Sequence, residues 1–161
     1  MPTVIRVGTE DDLPEMVRLW REMMDVQAGL DPRVSLNPAP EAEEAWAQHV
    51  RDDVWGSDKW CVLVAESNGK LVGQIIGLLR DRHRPFPRQT YGYVTDIVVA
   101  ADVRRQGIGR ALFAALMEWV RERGADHVQL QVLASNSASQ AFWRAMGCRD
   151  YSHILWRDLE A

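Results

Sequence analysis

The segment Ile97-Val98-Val99-Ala100-Ala101-Asp102-Val103-Arg104-Arg105-Gln106-Gly107-Ile108-Gly109-Arg110 constrains the fold more than any other part of the chain. An apolar, β-branched run ends in a short polar loop, and a long amphipathic stretch begins directly behind it. That order is strand, tight loop, helix. The first amides of a helix lack carbonyl partners and point outward. The aligned peptide dipoles add partial positive charge there, and the two effects make an anion site. Gly107 and Gly109 have no Cβ, so a phosphate can come close to the backbone. Arg104, Arg105 and Arg110 surround the same loop, and a guanidinium can hold phosphate through two parallel hydrogen bonds. The stretch reads as a seat for a diphosphate.

Other readings of the loop fit less well. Two glycines among solvated arginines can simply shape a turn, but here glycines, arginines and helix start coincide. A dinucleotide fingerprint needs a small residue at its third position, where this chain has Leu112. It also needs an acid at the end of the next strand, which offers Gln129 and Gln131. A phosphate loop ending in Gly-Lys-Ser/Thr does not occur in the sequence.

The remaining elements follow from periodicity. Thr3 to Val7 reads as a first strand. Thr9 caps a helix whose opening acids suit the positive dipole end, with Leu13, Met16, Val17, Trp20, Met23 and Met24 at helical spacing. The prolines at 32, 38 and 40 make residues 29–40 a loop, and a second helix covers residues 41–54. Trp60 to Ala65 and Leu71 to Leu79 form a hairpin around Asn68-Gly69. Tyr91 to Ala100 is the next strand. A helix runs from Gly107 to a stop at Gly124, with Ile108, Ala111, Leu112, Ala115, Leu116, Trp119 and Val120 as its apolar face. His127 to Leu133 is a strand, Ser137 to Met146 a helix stopped by Gly147, and Tyr151 to Leu159 a last strand. Helices between the later strands imply that part of the sheet is parallel.

Composition closes off several classes. The 161 residues fit one domain spanning 1–161. Hydrophobic residues at 47 % and charged residues at 26 % are ordinary for a globular core, and seven tryptophans supply large apolar walls. A net charge of −4 gives no electrostatic case for nucleic acid. No apolar run approaches the roughly 20 residues that cross a bilayer, and the N-terminus has no signal-peptide core. Cys61 and Cys148 form no Cys-x-x-Cys pair, which fits a reducing cytoplasm. His49, His83, His127 and His153 show no ligand spacing, so no metal is expected. A Gly-x-Ser-x-Gly nucleophile motif is absent, and Cys61 sits in an apolar strand.

Arg104-x-x-Gly107-x-Gly109 resembles the R/Q-x-x-G-x-G/A motif of the GCN5-related N-acetyltransferase (GNAT) family. Asn136-Ser-Ala-Ser-Gln-Ala141-Phe142-Trp143-Arg144-Ala145-Met146-Gly147 is similar to that family's next signature, and the element order matches over nearly the whole chain. The resemblance implies an α/β (α+β) acyl-CoA N-acyltransferase fold. That fold has a mixed, mostly antiparallel sheet of six to seven strands with a central splay, flanked by about four helices. It implies acetyl-CoA as cosubstrate, with Arg104, Arg105, Gln106, Gly107, Ile108, Gly109 and Arg110 around its pyrophosphate. It further implies that the backbone of Ile97, Val98 and Val99 pairs with the pantetheine arm, and that Asn136 contacts the arm. Ile97 and Val99 also suit core packing, and Asn136 also suits a helix N-cap.

Acetyl transfer to an amine needs a base for the ammonium proton, and an acid can serve the leaving thiolate. Asp96 precedes Ile97, where several family members carry a carboxylate, and is the candidate base. A structural strand-edge role for Asp96 and a role for Tyr93 stay open. The family often has tyrosine where this chain has Trp143, whose indole is no proton donor for this purpose. Either the thiolate leaves unassisted or a group such as Tyr151 serves. Gln131 replaces the glutamate expected in relatives that acetylate ribosomal-protein N-termini. Cys148, in place of phenylalanine, reads as a small buried hydrophobe.

The resemblance places the acceptor amine by the first two helices. Asp25, Asp31, Glu41, Glu43 and Glu44, with Trp46, Trp55 and Trp60, suit a cationic small-molecule amine or simply form a solvated acidic face. Arg80, Arg82, Arg84 and Arg88 give the opposite sign, so the acceptor stays open. A non-catalytic acyl-CoA sensor of the same fold is the alternative function. A homodimer through the C-terminal strand is also expected.

Overall fold

The computed structural model describes residues 2–83, 85–87 and 89–160. Arg84 and Arg88 lie outside the described residues. Five strands form one sheet in the order β1 (Val4–Val7), β2 (Trp60–Ser67), β3 (Lys70–Asp81), β4 (Thr90–Val99), β5 (Val128–Leu130). Pairings from β1 to β4 are antiparallel, and β4 with β5 is parallel. The helices are α1 (Leu13–Leu30), α2 (Glu41–His49), α3 (Ile108–Glu122) and α4 (Ser137–Ala145). The mixed sheet with four helices matches the expected architecture, with five strands in place of six to seven.

The missing strand is the C-terminal one. Residues 149–160 have no regular structure and make no backbone hydrogen bond among the described residues. Tyr151 to Leu159 is apolar enough for a strand, but a strand needs a ladder partner, and the tail pairs with none of the described residues. His127 to Leu133 shortens to Val128–Leu130 for a related reason, because its partner strand carries only three paired positions.

Local chemistry explains the elements that do form. Asn68 and Gly69 take φ of 53° and 72°, the left-handed pair that a tight hairpin turn requires. The Asp12 carboxylate accepts from the Thr9 amide at 2.8 Å and from the Thr9 hydroxyl at 3.1 Å, so Asp12, rather than the Thr9 hydroxyl, satisfies the entry to α1. Arg6 holds the same carboxylate with both terminal nitrogens, at 2.7 and 2.8 Å. Beyond His49, α2 widens into one π-helical turn over Val50–Val54, closed by the Trp55 amide on the Val50 carbonyl at 2.9 Å.

Both sheet faces are covered, which is why β2 and β3 are apolar nearly throughout. On one face Cys61, Leu63, Ile75 and Val94 pack under Ile108, Leu112, Phe113, Leu116 and Val120 of α3 and Trp143 of α4. On the other, Val62, Val64, Ile76 and Val98 pack under Leu13, Met16 and Leu19 of α1 and Ala47 of α2. Gly92 lets α3 approach closely, since a Cβ there would meet Val120 Cγ2 at 2.6 Å. Gln74 is the exception inside this core: it is fully buried, and neither side-chain amide atom has a partner.

Candidate active site

Two features meet along β4. The first is a parting of the sheet. Strand β4 pairs with β5 only at Gly92, Tyr93 and Val94, then runs on to Val99 alone on that side. The second is an extra residue. Ile76 pairs with Asp96 while Gly77 pairs with Val94, so Thr95 is a β-bulge. The bulge turns Thr95 and Asp96 toward the same space. The Thr95 hydroxyl donates to the Ile76 carbonyl at 3.2 Å, which fixes the bulge.

That space is a cavity of about 250 Å³ lined by Trp20, Trp46, His49, Val50, Val54, Trp60, Ile76, Thr95 and Asp96. Trp20 and Trp46 stack at 5.1 Å between centroids, 17° from parallel. His49 stands edge-on to Trp60 at 5.8 Å, and its Nδ1 lies 2.7 Å from Asp53 Oδ2. Asp96 is the one carboxylate in the lining. Burial pushes its pKa up, opposed by the Thr95 hydrogen bond and the nearby His49. A carboxylate held this way is a stronger base than one in water.

The loop after β4 forms the other end of the site. The amides of Arg104 to Arg110 have no hydrogen-bond partner among the described residues, whereas Ala111 donates to the Gly107 carbonyl at 3.0 Å. Arg105 and Gly107 take φ of 65° and 83°, which winds the backbone into a left-handed bend before α3. Gly109 faces the Phe142 ring, 3.1 Å from where its Cβ would be, so its smallness also serves the packing of α4. Arg105, Gln106 and Arg110 are exposed, and Ile108 is buried.

The other residues singled out in the sequence have defined places around these two ends. The Arg104 side chain folds back, donating to the Val99 carbonyl at 3.0 Å and to Glu22 at 3.3 Å. Glu22 also accepts from the Ala101 amide at 3.0 Å, so α1 braces the loop. Ile97 and Val99 are half-buried against the α3 side, and Val98 is buried on the opposite face. Asn136 caps α4, accepting from the Ser139 amide at 3.0 Å. Tyr93 lies beneath the Arg80 guanidinium at 3.6 Å and does not line the cavity. Trp143 is a core residue set edge-on against Phe113 and Phe142. The Tyr151 hydroxyl is exposed and accepts from Arg82 at 3.2 Å. Cys61 is buried, its thiol pushed up to about 11 by burial, and Cys148 is half-buried with its thiol raised for the same reason.

The acids expected around the first two helices do not line the cavity, and three of them pair with arginines. Arg21 pairs with Asp25 and Glu43, and Arg33 with Asp31. Of the three tryptophans expected there, Trp46 and Trp60 line the cavity and Trp55 does not. Trp20 and His49 are among the lining residues that the sequence did not single out for the site. Trp20 shows only as a core position in the helical pattern, and His49 carries no motif.

Residues 20–148 match the model of the acetyltransferase (GNAT) family. The chain belongs to that family. It is 31 % identical over 135 residues to the acetyltransferase plu1384 of Photorhabdus laumondii, covering 84 % of this chain and 78 % of that one. Two other curated relatives are matched over 27 % and 59 % of their lengths. Among solved structures, a mutant of the BH1408 protein from Bacillus halodurans superposes with a TM-score of 0.85 at 21 % identity, covering 98 % of this chain and 99 % of that chain. An AAC(6')-Iy structure with a CoA-linked acetylneamine bisubstrate analogue gives a TM-score of 0.73 at 17 % identity, with both chains covered fully.

Proposed function

We propose that the protein binds acetyl-CoA and transfers the acetyl group to a primary amine of a small molecule. The observation that carries this is the division of labour on β4. Its unpaired edge leads to the amide-rich loop at one end, and its bulge presents Asp96 to an aromatic-lined cavity. Pyrophosphate would sit on the amides from Arg104 to Arg110, with Arg105 and Arg110 free to close over it. The Arg104 side chain shapes the loop. The free edge from Thr95 to Val99 offers backbone groups to the pantetheine amides, except the Val99 carbonyl, which Arg104 already occupies. Asn136 keeps its side-chain NH₂ for the same arm while its oxygen caps α4.

Acetyl-CoA supplies a thioester, and the amine nitrogen bonds to its carbonyl carbon as the C–S bond breaks. Asp96 takes the ammonium proton, which frees the lone pair that attacks. His49, which shares the cavity lining with Asp96 and pairs with the exposed Asp53, offers the proton a way on to solvent. Neither Trp143 nor Tyr151 is placed to serve the leaving group, and a thiolate departs without an acid. Trp143, which stands where the family often has tyrosine, is explained by core packing. Asp96 in its cavity favours turnover.

A homodimer belongs to this reading. Tyr151, Ile154, Leu155, Trp156 and Leu159 are between 64 % and 91 % exposed in a tail without backbone partners. Five such side chains in water form the kind of patch that a second copy covers. Removing residues 151–161 should convert a dimer to a monomer by light scattering, and a monomeric full-length chain refutes this part. For the activity, calorimetry with acetyl-CoA and a thiol-release assay over an amine panel are the tests. No binding of acetyl-CoA defeats the central reading.

A further inference from the structure

Resting on the acetyltransferase reading, we infer that the acceptor is a compact monoamine with a short aromatic body, an arylalkylamine, rather than a polycation. Three properties of the cavity lead there. Its volume, about 250 Å³, falls below the roughly 300–1,000 Å³ that pockets for drug-sized ligands occupy. Its wall holds one carboxylate, Asp96, against three indoles and the side chains of Val50, Val54 and Ile76. One carboxylate answers one ammonium. A second ammonium on the same ligand would face valines and indole rings without a counter-charge, which desolvation opposes.

The acids that might have received further charges are engaged elsewhere. Asp25 is tied to Arg21, Asp31 to Arg33, and Glu22 to Arg18 and Arg104. Glu43 meets Arg21 through Oε1, and its buried, unpartnered Oε2 lies outside the cavity lining. Asp53 is held by His49 and Asp52 by Gln48 at the outer side. The stacked Trp20 and Trp46 instead provide a flat apolar wall for an aryl ring. An ammonium near Asp96 lies among the tryptophans, whose ring faces attract cations.

The experiment compares phenethylamine, spermidine and neamine as acceptors at saturating acetyl-CoA, with quenching of tryptophan fluorescence by each amine measured separately. Phenethylamine should exceed both polycations in kcat/KM by at least tenfold and should quench the fluorescence saturably. Trp46→Leu should raise KM for phenethylamine several-fold, with acetyl-CoA titration as its fold control, and Trp46→Phe should restore it. A polycation preferred by the wild type overturns the inference while the acetyltransferase reading stands. Acetyl-CoA binding without saturable phenethylamine quenching also overturns it. Absence of acetyl-CoA binding instead defeats the underlying reading.

Discussion

Replacing Gly107 with alanine separates the role of the loop as an anion seat from its role as a turn. Gly107 sits at φ 83°, and a Cβ built there meets no atom within 4 Å. The stability cost is therefore conformational alone, about 1 kcal/mol for an L-residue in the left-handed region. For a domain of this size that lowers Tm by about 2–4 °C. Gly124 provides an internal control: it lies at φ 78° just past α3, with the same open space around its Cβ. Gly124→Ala should lose a similar Tm without touching the loop. The open space at Gly107 is where a pyrophosphate would lie, so the added methyl should weaken acetyl-CoA binding at least tenfold, about 1.4 kcal/mol. Differential scanning calorimetry gives the first quantity and isothermal titration the second. Equal Tm losses with equal, undiminished acetyl-CoA affinities would refute the cradle. Gly109 is the poorer probe, because its Cβ would press on Phe142 and mix α4 packing with binding.

Asp96→Asn should lower kcat/KM by about 100-fold or more, the usual worth of a positioned base, and should remove the acid limb of its pH profile. The same change should stabilise the fold at neutral pH. Burial raises the Asp96 pKa above its unfolded value, so its neutral form favours folding at low pH and that contribution is lost as pH rises through the folded pKa. Thermal melts from pH 4 to 8 test the sign. Asp12→Asn should do the opposite. Arg6 holds the Asp12 carboxyl down at about 2, which implies about 1–2 kcal/mol of stability above the unfolded pKa, lost as pH falls through the folded value. Urea unfolding of both forms at pH 7 and pH 3 reads the difference, and an equal gap at both pH values contradicts it. Gln74→Met should raise stability by about 1 kcal/mol or more, because both amide atoms are buried without partners. A loss instead would mean that the amide holds a buried water.

The loop and the helices were legible because their signals are local. A glycine pair after an apolar run, an asparagine before α4 and a glycine just past α3 and α4 act over a few residues. The cavity was not, and β4 shows why. Period-2 alternation would put Val94, Asp96 and Val98 on one face. In the fold Val94 packs under α3, while Val98 packs under α1 and α2. The switch is the extra residue Thr95, and nothing in the string Val94-Thr95-Asp96-Ile97 announces a bulge. Without it, Asp96 would stay on the face of Val94 and α3. With it, the carboxylate turns to the other face, where Trp20 and His49 arrive from helices far away in sequence. The tail fails in the complementary way: its composition suits a strand, but a strand is a property of a pair. The proposed dimer supplies the missing partner, and Asp96 owes its place to a single inserted residue.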